Sequence, residues 1–189
     1  MADMTAAGAT RRSALEGRAS VKFGQFAIAM AADAARFILR AEPTDAARAG
    51  AALGLALPER LRAVFGKTRV AAWLGPDEWL FVAPEEDPAA LAQTLETALR
   101  DAPHSLVDIS HRQIGLKLTG FAAARALNAG CPLDLSEAAF PIGMGTRTIL
   151  AKCEIVLWRR GPQEFHVEVW RSFADYAAAF LAEAARRAP

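Results

Sequence analysis

SLVDISHRQIGLKLTG (Ser105–Gly120) brings Asp108, Ser110 and His111 within four positions. These are the residue types of a hydrolase triad, and they lie in a stretch that alternates like a strand. Val107, Ile109 and His111 fall on one side, Asp108 and Ser110 on the other. After Arg112 and Gln113 the alternation resumes, with Ile114, Leu116 and Leu118 against Gly115, Lys117 and Thr119. The pattern predicts two strands of one meander. A triad needs its base within about 2.6–3.2 Å of nucleophile and acid, and on a strand His111 faces away from both. No G-x-S-x-G elbow exists in the chain. Asp108 and Ser110 therefore read as groups that hydrogen-bond backbone at a strand end or turn.

Upstream, Asp87 and Pro88 open a helix as cap and first residue. Leu91, Leu95, Ala98 and Leu99 share its apolar face. Before it, Thr68–Leu74 and Glu78–Ala83 form a hairpin around Gly75-Pro76-Asp77. Thr44–Leu53 reads as a helix capped by Thr44, and FGQFAIAMAA, from Phe23, as a first strand. Downstream, Phe121–Asn128 is a helix ended by Gly130 and Pro132. Gly145–Gly161 is a long strand region paired with Glu164–Trp170. Ser172-x-x-Asp175 reads as a capping box for a last helix with Phe173, Tyr176, Ala177, Phe180, Leu181 and Ala184 on its apolar face.

Gly75-Pro76-Asp77-Glu78-Trp79 returns as Gly161-Pro162-Gln163-Glu164-Phe165, 161 − 75 = 86 residues on. Each copy joins two apolar strands and precedes an amphipathic helix. Two strand–turn–strand–helix units predict a pseudo-symmetric α+β fold of antiparallel sheets with packed helices. Residues 21–189 are expected as one domain behind a flexible tail over residues 1–20.

With 189 residues the chain can bury about 70% of its unfolded surface without a disulfide or metal staple. The net charge of +1, from 22 basic and 21 acidic residues, weighs against nucleic acid as a partner. Cys131 and Cys153 form no C-x-x-C pair, and His104, His111 and His166 show no ligand spacing, so no zinc site is expected. The run FAIAMAA is far short of the ~20 residues of a membrane span. A cytoplasmic protein is expected. GMG at Gly143–Gly145 is not a dinucleotide fingerprint. Trp73, Trp79 and Trp158 read as core. No catalytic, cofactor-binding or metal-binding residue emerges.

RVAAWLGPDEWLFVAP, SLVDISHRQIGLKLTG, LNAGCPLDLSEAAFPIGMGTRTILAKCEIVLWRR and FHVEVWRSFADY, in this order, resemble the gamma subunit family of heterotetrameric sarcosine oxidase. The resemblance runs from about Thr68 to Leu181. It implies the fold of the folate-binding domain of glycine-cleavage aminomethyltransferase, in which Asp108, Ser110 and His111 are a fold signature. It implies an assembly that demethylates sarcosine to glycine with oxygen, yielding peroxide and passing the one-carbon unit to tetrahydrofolate or releasing formaldehyde. FAD, FMN and NAD are implied for the large alpha and beta subunits and zinc for the delta subunit, with no cofactor on this chain. In the aminomethyltransferase, a G-G-x-x-D-D-L strand carries the carboxylate that acts with folate. Here Cys153 and Glu154 stand for its two Asp residues, and a one-residue shift would restore a carboxylate. A neutral thiol cannot supply that charge.

The resemblance thus implies a non-catalytic partner of the alpha, beta and delta subunits, inactive when isolated and able to self-associate. A free-standing tetrahydrofolate-binding protein is the alternative, and a small hydrolase using Ser110 and His111 a third. Arg112, Arg147, Arg159 and Arg171 are candidate partner contacts, because Arg is favoured at interfaces.

Overall fold

The computed structural model describes residues 14–15, 20–24, 26–84 and 87–187. The tail expected over residues 1–20 falls mostly outside them, although Leu15 is described and buried. The chain runs β1 (Val21–Phe23), β2 (Phe26–Met30), β3 (Ala34–Ala41), α1 (Pro43–Ala52), β4 (Ala63–Phe65), β5 (Val70–Gly75), β6 (Glu78–Pro84), α2 (Pro88–Leu99) and β7 (His104–Asp108). It continues through β8 (Gln113–Thr119), α3 (Ala123–Asn128), β9 (Gly145–Leu150), β10 (Cys153–Gly161), β11 (Glu164–Trp170), a 3-10 turn (Arg171–Phe173) and α4 (Ala174–Arg187). Two antiparallel sheets result. One has the order β1-β2-β8-β11-β10-β9, the other β4-β5-β6-β3-β7.

The expected pseudo-symmetry is present and includes an exchange of strands. Each half reads strand, crossover, strand, helix, three strands, helix. The opening strand of each half pairs in the sheet of the other: β2 lies against β8, and β7 against β3. The two Gly-Pro turns are alike in their irregularity. The β5–β6 ladder shifts register between Trp73 and Gly75, and the β10–β11 ladder between Arg159 and Gly161. At both turns the glycine faces the glutamate three residues on, Gly75 with Glu78 and Gly161 with Glu164.

Helices cover one face of each sheet. Leu91, Leu95 and Leu99 of α2 are buried with Phe37, Leu39 and Phe81 of the five-stranded sheet. Burial of each such side chain is worth about 1.5–3 kcal/mol. Asp87 caps α2 as expected, its Oδ1 accepting from Ala89 N–H at 3.0 Å. Ala177 and Leu181 of α4 pack on Leu116, Leu157 and Val167 of the six-stranded sheet. The other faces of the two sheets meet through Val70, Ala72, Leu80, Val82, Val156 and Trp158. Trp79 and Trp158 are core residues, and Trp73 is partly buried. Cys131 and Cys153 are free and buried.

Several expectations are corrected. Ser105–Gly120 is not a meander within one sheet: β7 and β8 belong to different sheets, and Ile109–Arg112 is the crossover. The first strand is a hairpin, because Gly24 takes a φ of 54° and turns the chain. Gly145–Gly161 is likewise two strands, folded back at Ala151 with a φ of 51°. The N-cap of α1 is Glu42 and Pro43 is its first residue, so Thr44 lies inside the helix. Ser172 sits in the 3-10 turn, whose N-cap is Trp170. The buried face of α4 centres on Ala174, Ala177, Leu181, Ala182 and Ala185, leaving Phe173 exposed.

Candidate functional site

The crossover after β7 is built by short polar bonds. Asp108 Oδ1 accepts from Ser110 N–H at 2.8 Å, and buried Ser110 Oγ accepts from Arg36 N–H at 2.9 Å. Ile109 N–H donates to Arg36 O at 2.8 Å. This is an aspartate-initiated turn pinned to the central strand β3. His111 is exposed in the turn. The three triad residue types are neighbours in sequence, but Asp108 Oδ1 and Ser110 Oγ each accept from a backbone N–H.

Pinning Arg36 has a consequence between the sheets. Its side chain leaves β3 toward the six-stranded sheet and forks onto Glu168 of β11. Nε reaches Oε2 at 2.7 Å and Nη2 reaches Oε1 at 3.2 Å. The third arm, Nη1, donates to Ala34 O at 3.1 Å. His166 Nε2 bonds Glu168 Oε1 at 2.8 Å, and its ring stacks on Trp158 with centroids 4.2 Å apart. Arg36 and Glu168 are 2% and 0% exposed, so a charged pair stands in the middle of the molecule. Burial pushes the Glu168 carboxyl up, but the Arg36 charge and the hydrogen bonds from His166 and Arg36 outweigh it, and its pKa lies below the usual carboxylate range. Gly115 makes room: a Cβ there would come within 2.8 Å of His166 Nε2.

Arg36, His166 and Glu168 escape the sequence reading. Glu168 and His166 alternate with Phe165, Val167 and Val169 as a solvated strand face would, and only the second sheet makes that face interior. A visible signal was the acid and histidine on a strand whose helix-facing side is wholly apolar.

In the stretch compared with the folate-type strand, the two positions differ in burial. Cys153 is buried, its Sγ donates to Leu150 O at 3.3 Å, and burial pushes the thiol pKa up. Glu154 is exposed near the start of β10, 3.9 Å from Arg147. The four arginines are scattered. Arg112 and Arg171 are adjacent, since Arg171 N–H donates to Arg112 O at 2.7 Å and the Arg112 guanidinium lies over exposed Trp170. Arg147 bridges to Glu78 at 2.6 Å. Arg159 is 3% exposed, with Nη2 on Leu135 O, so this chain presents no Arg159 surface to a partner. Among the described residues, no group of three or more His, Cys, Asp or Glu side chains is placed to hold a metal ion. A cavity of about 170 Å³ between β2 and α4 is lined by Ile28, Met30, Leu116 and alanines of α4, with no charged group among the described residues that line it.

A doubled α+β scaffold of two antiparallel sheets, each covered by helices on one face, defines the class of fold. The comparisons agree. Residues 39–187 match the sarcosine oxidase gamma subunit family. The gamma subunit of sarcosine oxidase from Corynebacterium sp. strain U-96 is 39% identical over 150 residues, covering 77% of this chain and 72% of the relative. The gamma subunit from Corynebacterium sp. strain P-1 is 38% identical over 135 residues, covering 70% and 66%. A chain of the solved heterotetrameric sarcosine oxidase from Corynebacterium sp. U-96 superposes with a TM-score of 0.85 at 32% identity, covering 93% of this chain and 95% of that one. Aminomethyltransferase T of the glycine cleavage system from Bartonella henselae shares the fold at a TM-score of 0.62 and 14% identity, over 83% of this chain and 45% of that one. The chain belongs to the sarcosine oxidase gamma subunit family.

Proposed function

We propose that this chain is a non-catalytic subunit of a heterotetrameric sarcosine oxidase, supporting demethylation of sarcosine to glycine with one-carbon transfer to tetrahydrofolate. The observation that carries this reading is the near-complete superposition on a chain of the solved heterotetramer, joined to an interior in which Arg36, Glu168 and His166 are bonded to one another. In this reading the partners are the alpha, beta and delta subunits in the cytoplasm. FAD, FMN, NAD and tetrahydrofolate belong to the large subunits and zinc to the delta subunit. Residues 21–189 act as a single domain. Arg112 and Arg171, with exposed Trp170 and Phe173 beside them in sequence, are a contact zone, since Arg and aromatic side chains are enriched at interfaces.

The test is reconstitution. The isolated chain should release no hydrogen peroxide from sarcosine. The complex lacking it should form less methylene-tetrahydrofolate and more formaldehyde than the complete one. Turnover by the isolated chain overturns the reading. Micromolar binding of tetrahydrofolate by that chain, measured by calorimetry, would favour a free-standing folate-binding protein instead.

A further inference from the structure

The outer edge of β7 has no neighbouring strand among the described residues, and the internal repeat shows what belongs there. β7 and β2 are counterparts. Each pairs antiparallel with a central strand and then crosses sheets through a 2.8 Å main-chain bond, Ile109 N–H to Arg36 O in one case and Ala31 N–H to Gly115 O in the other. The outer edge of β2 carries β1, with Val21 against Ile28 and Lys22 against Ala27. Matching the crossovers sets Leu106 in the place of Ile28 and Ser105 in that of Ala27.

The free groups of β7 can be named. Because the Ile109 amide points to Arg36, the alternation of an antiparallel ladder turns the amides of Ser105 and Val107 toward β3 and those of Leu106 and Asp108 outward. Edge strands are ordinarily blunted by lysine, proline or a bulge. His104–Asp108 has none of these, and its ladder with β3 is regular. Val107 is 48% exposed and Leu106 is half-buried beside it. Two exposed carboxylates bracket the edge: Glu96, paired with His104 at 3.0 Å, and Asp108 at the far end.

The geometry points to β7 as the docking edge for an extended segment of another subunit of the oxidase, added antiparallel as β1 is added to β2. Main-chain bonds to Leu106 and Asp108 supply affinity, an apolar side chain covers Leu106, and cationic groups meet Glu96 and Asp108. A five-residue edge is one part of a larger contact. The inference rests on the reading of this chain as a subunit.

Hydrogen exchange resolved by residue, on the full chain alone and in the co-expressed complex, tests it. Leu106 and Asp108 amides should exchange at least tenfold more slowly in the complex, while Ser105 and Val107 are protected in both. V107K alters an exposed side chain, and L106P removes an outward donor that β3 does not use. V107K should leave the melting temperature of the isolated chain unchanged within error, and both variants should weaken co-purification at least tenfold. Equal exchange in the two states, or undiminished assembly of both variants, overturns the edge and leaves the subunit reading intact. Protection already present in the isolated chain assigns the edge to the chain's own segment, or to a second copy where it depends on concentration, and also overturns it. Failure of the wild-type chain to join the complex at all overturns both.

Discussion

The two halves share a scaffold but differ where their sheets meet. Aligned on their Gly-Pro turns, Trp158, His166 and Glu168 of the second half correspond to Ala72, Leu80 and Val82 of the first. On the central strands, Arg36 of the first half corresponds to Gly115 of the second. Large or charged residues on one sheet thus face small or apolar ones on the other, and the one long charged arm of the first half crosses to the acid of the second. Two like surfaces facing each other across a pseudo-twofold axis would place bulk against bulk. Close packing instead needs complementary surfaces, so the repeat had to diverge in its middle while its turns and strand exchange stayed alike.

Breaking the charged pair should show this most strongly. Arg36→Ala leaves the Glu168 carboxylate buried without its cation, and should cost about 3–5 kcal/mol in urea unfolding. The double change Arg36→Leu and Glu168→Val makes this interface as apolar as the first half already is. It should recover most of that loss, because well-packed apolar residues often replace a buried ion pair at no cost. If the single change costs under about 1 kcal/mol, solvent reaches the pair and the asymmetry has little energetic weight.

Gly115→Ala should come next. The new methyl would lie 2.8 Å from His166 Nε2 and 2.9 Å from Ala31 Cβ. Overpacking of this kind costs about 1–3 kcal/mol, readable as a lower melting temperature. A second change, His166→Ser, should restore part of it. No recovery would mean that Ala31 and the crossover, not the histidine, set the limit.

The two sheets should also differ in their response to pH. Glu168 has a folded pKa below its unfolded value, so its contribution is complete above the ordinary carboxylate range, about pH 4.3, and is lost as pH falls through the folded value. His104, on β7, has the opposite sign. Its pKa is raised by the hydrogen bond to Ala102 O and by Glu96, so its contribution is complete below about 6.5 and is lost as pH rises through the folded value. Melting temperatures between pH 3 and 9 should lose the acid-side slope in Glu168→Gln and the neutral-side slope in His104→Asn. The smallest effect belongs to Arg147→Ala. It removes a partly exposed link to Glu78, and should cost less than about 1 kcal/mol, less still in high salt.

What could be read from the chain divides along the same line. The Gly-Pro repeat, the Asp87 cap and the period of α2 are local signals, and the structure keeps them. The β9–β10 turn was hidden because Ala151 and Lys152 are not turn residues, and Ala151 adopts its positive φ without glycine's freedom. β3 passed unread although it is flanked by β6 and β7, because Arg36 and Arg40 interrupt its apolar run. Asp108 and Ser110 were legible as backbone-bonding residues, but the stretch through His111 was not legible as a passage between sheets.

The sequence alone determined the class of fold, the doubled unit and the family, since turn chemistry, periodicity and ordered motifs act over a few neighbouring residues. Only the tertiary structure decided that Arg36 meets Glu168, that Arg159 is interior and that, among the described residues, one edge of β7 carries no strand. Those facts depend on residues as far apart as Arg36 and Glu168 and on which sheet each strand joins. Alternation in a strand fixes which side chains share a face, but not whether water or a second sheet lies against it.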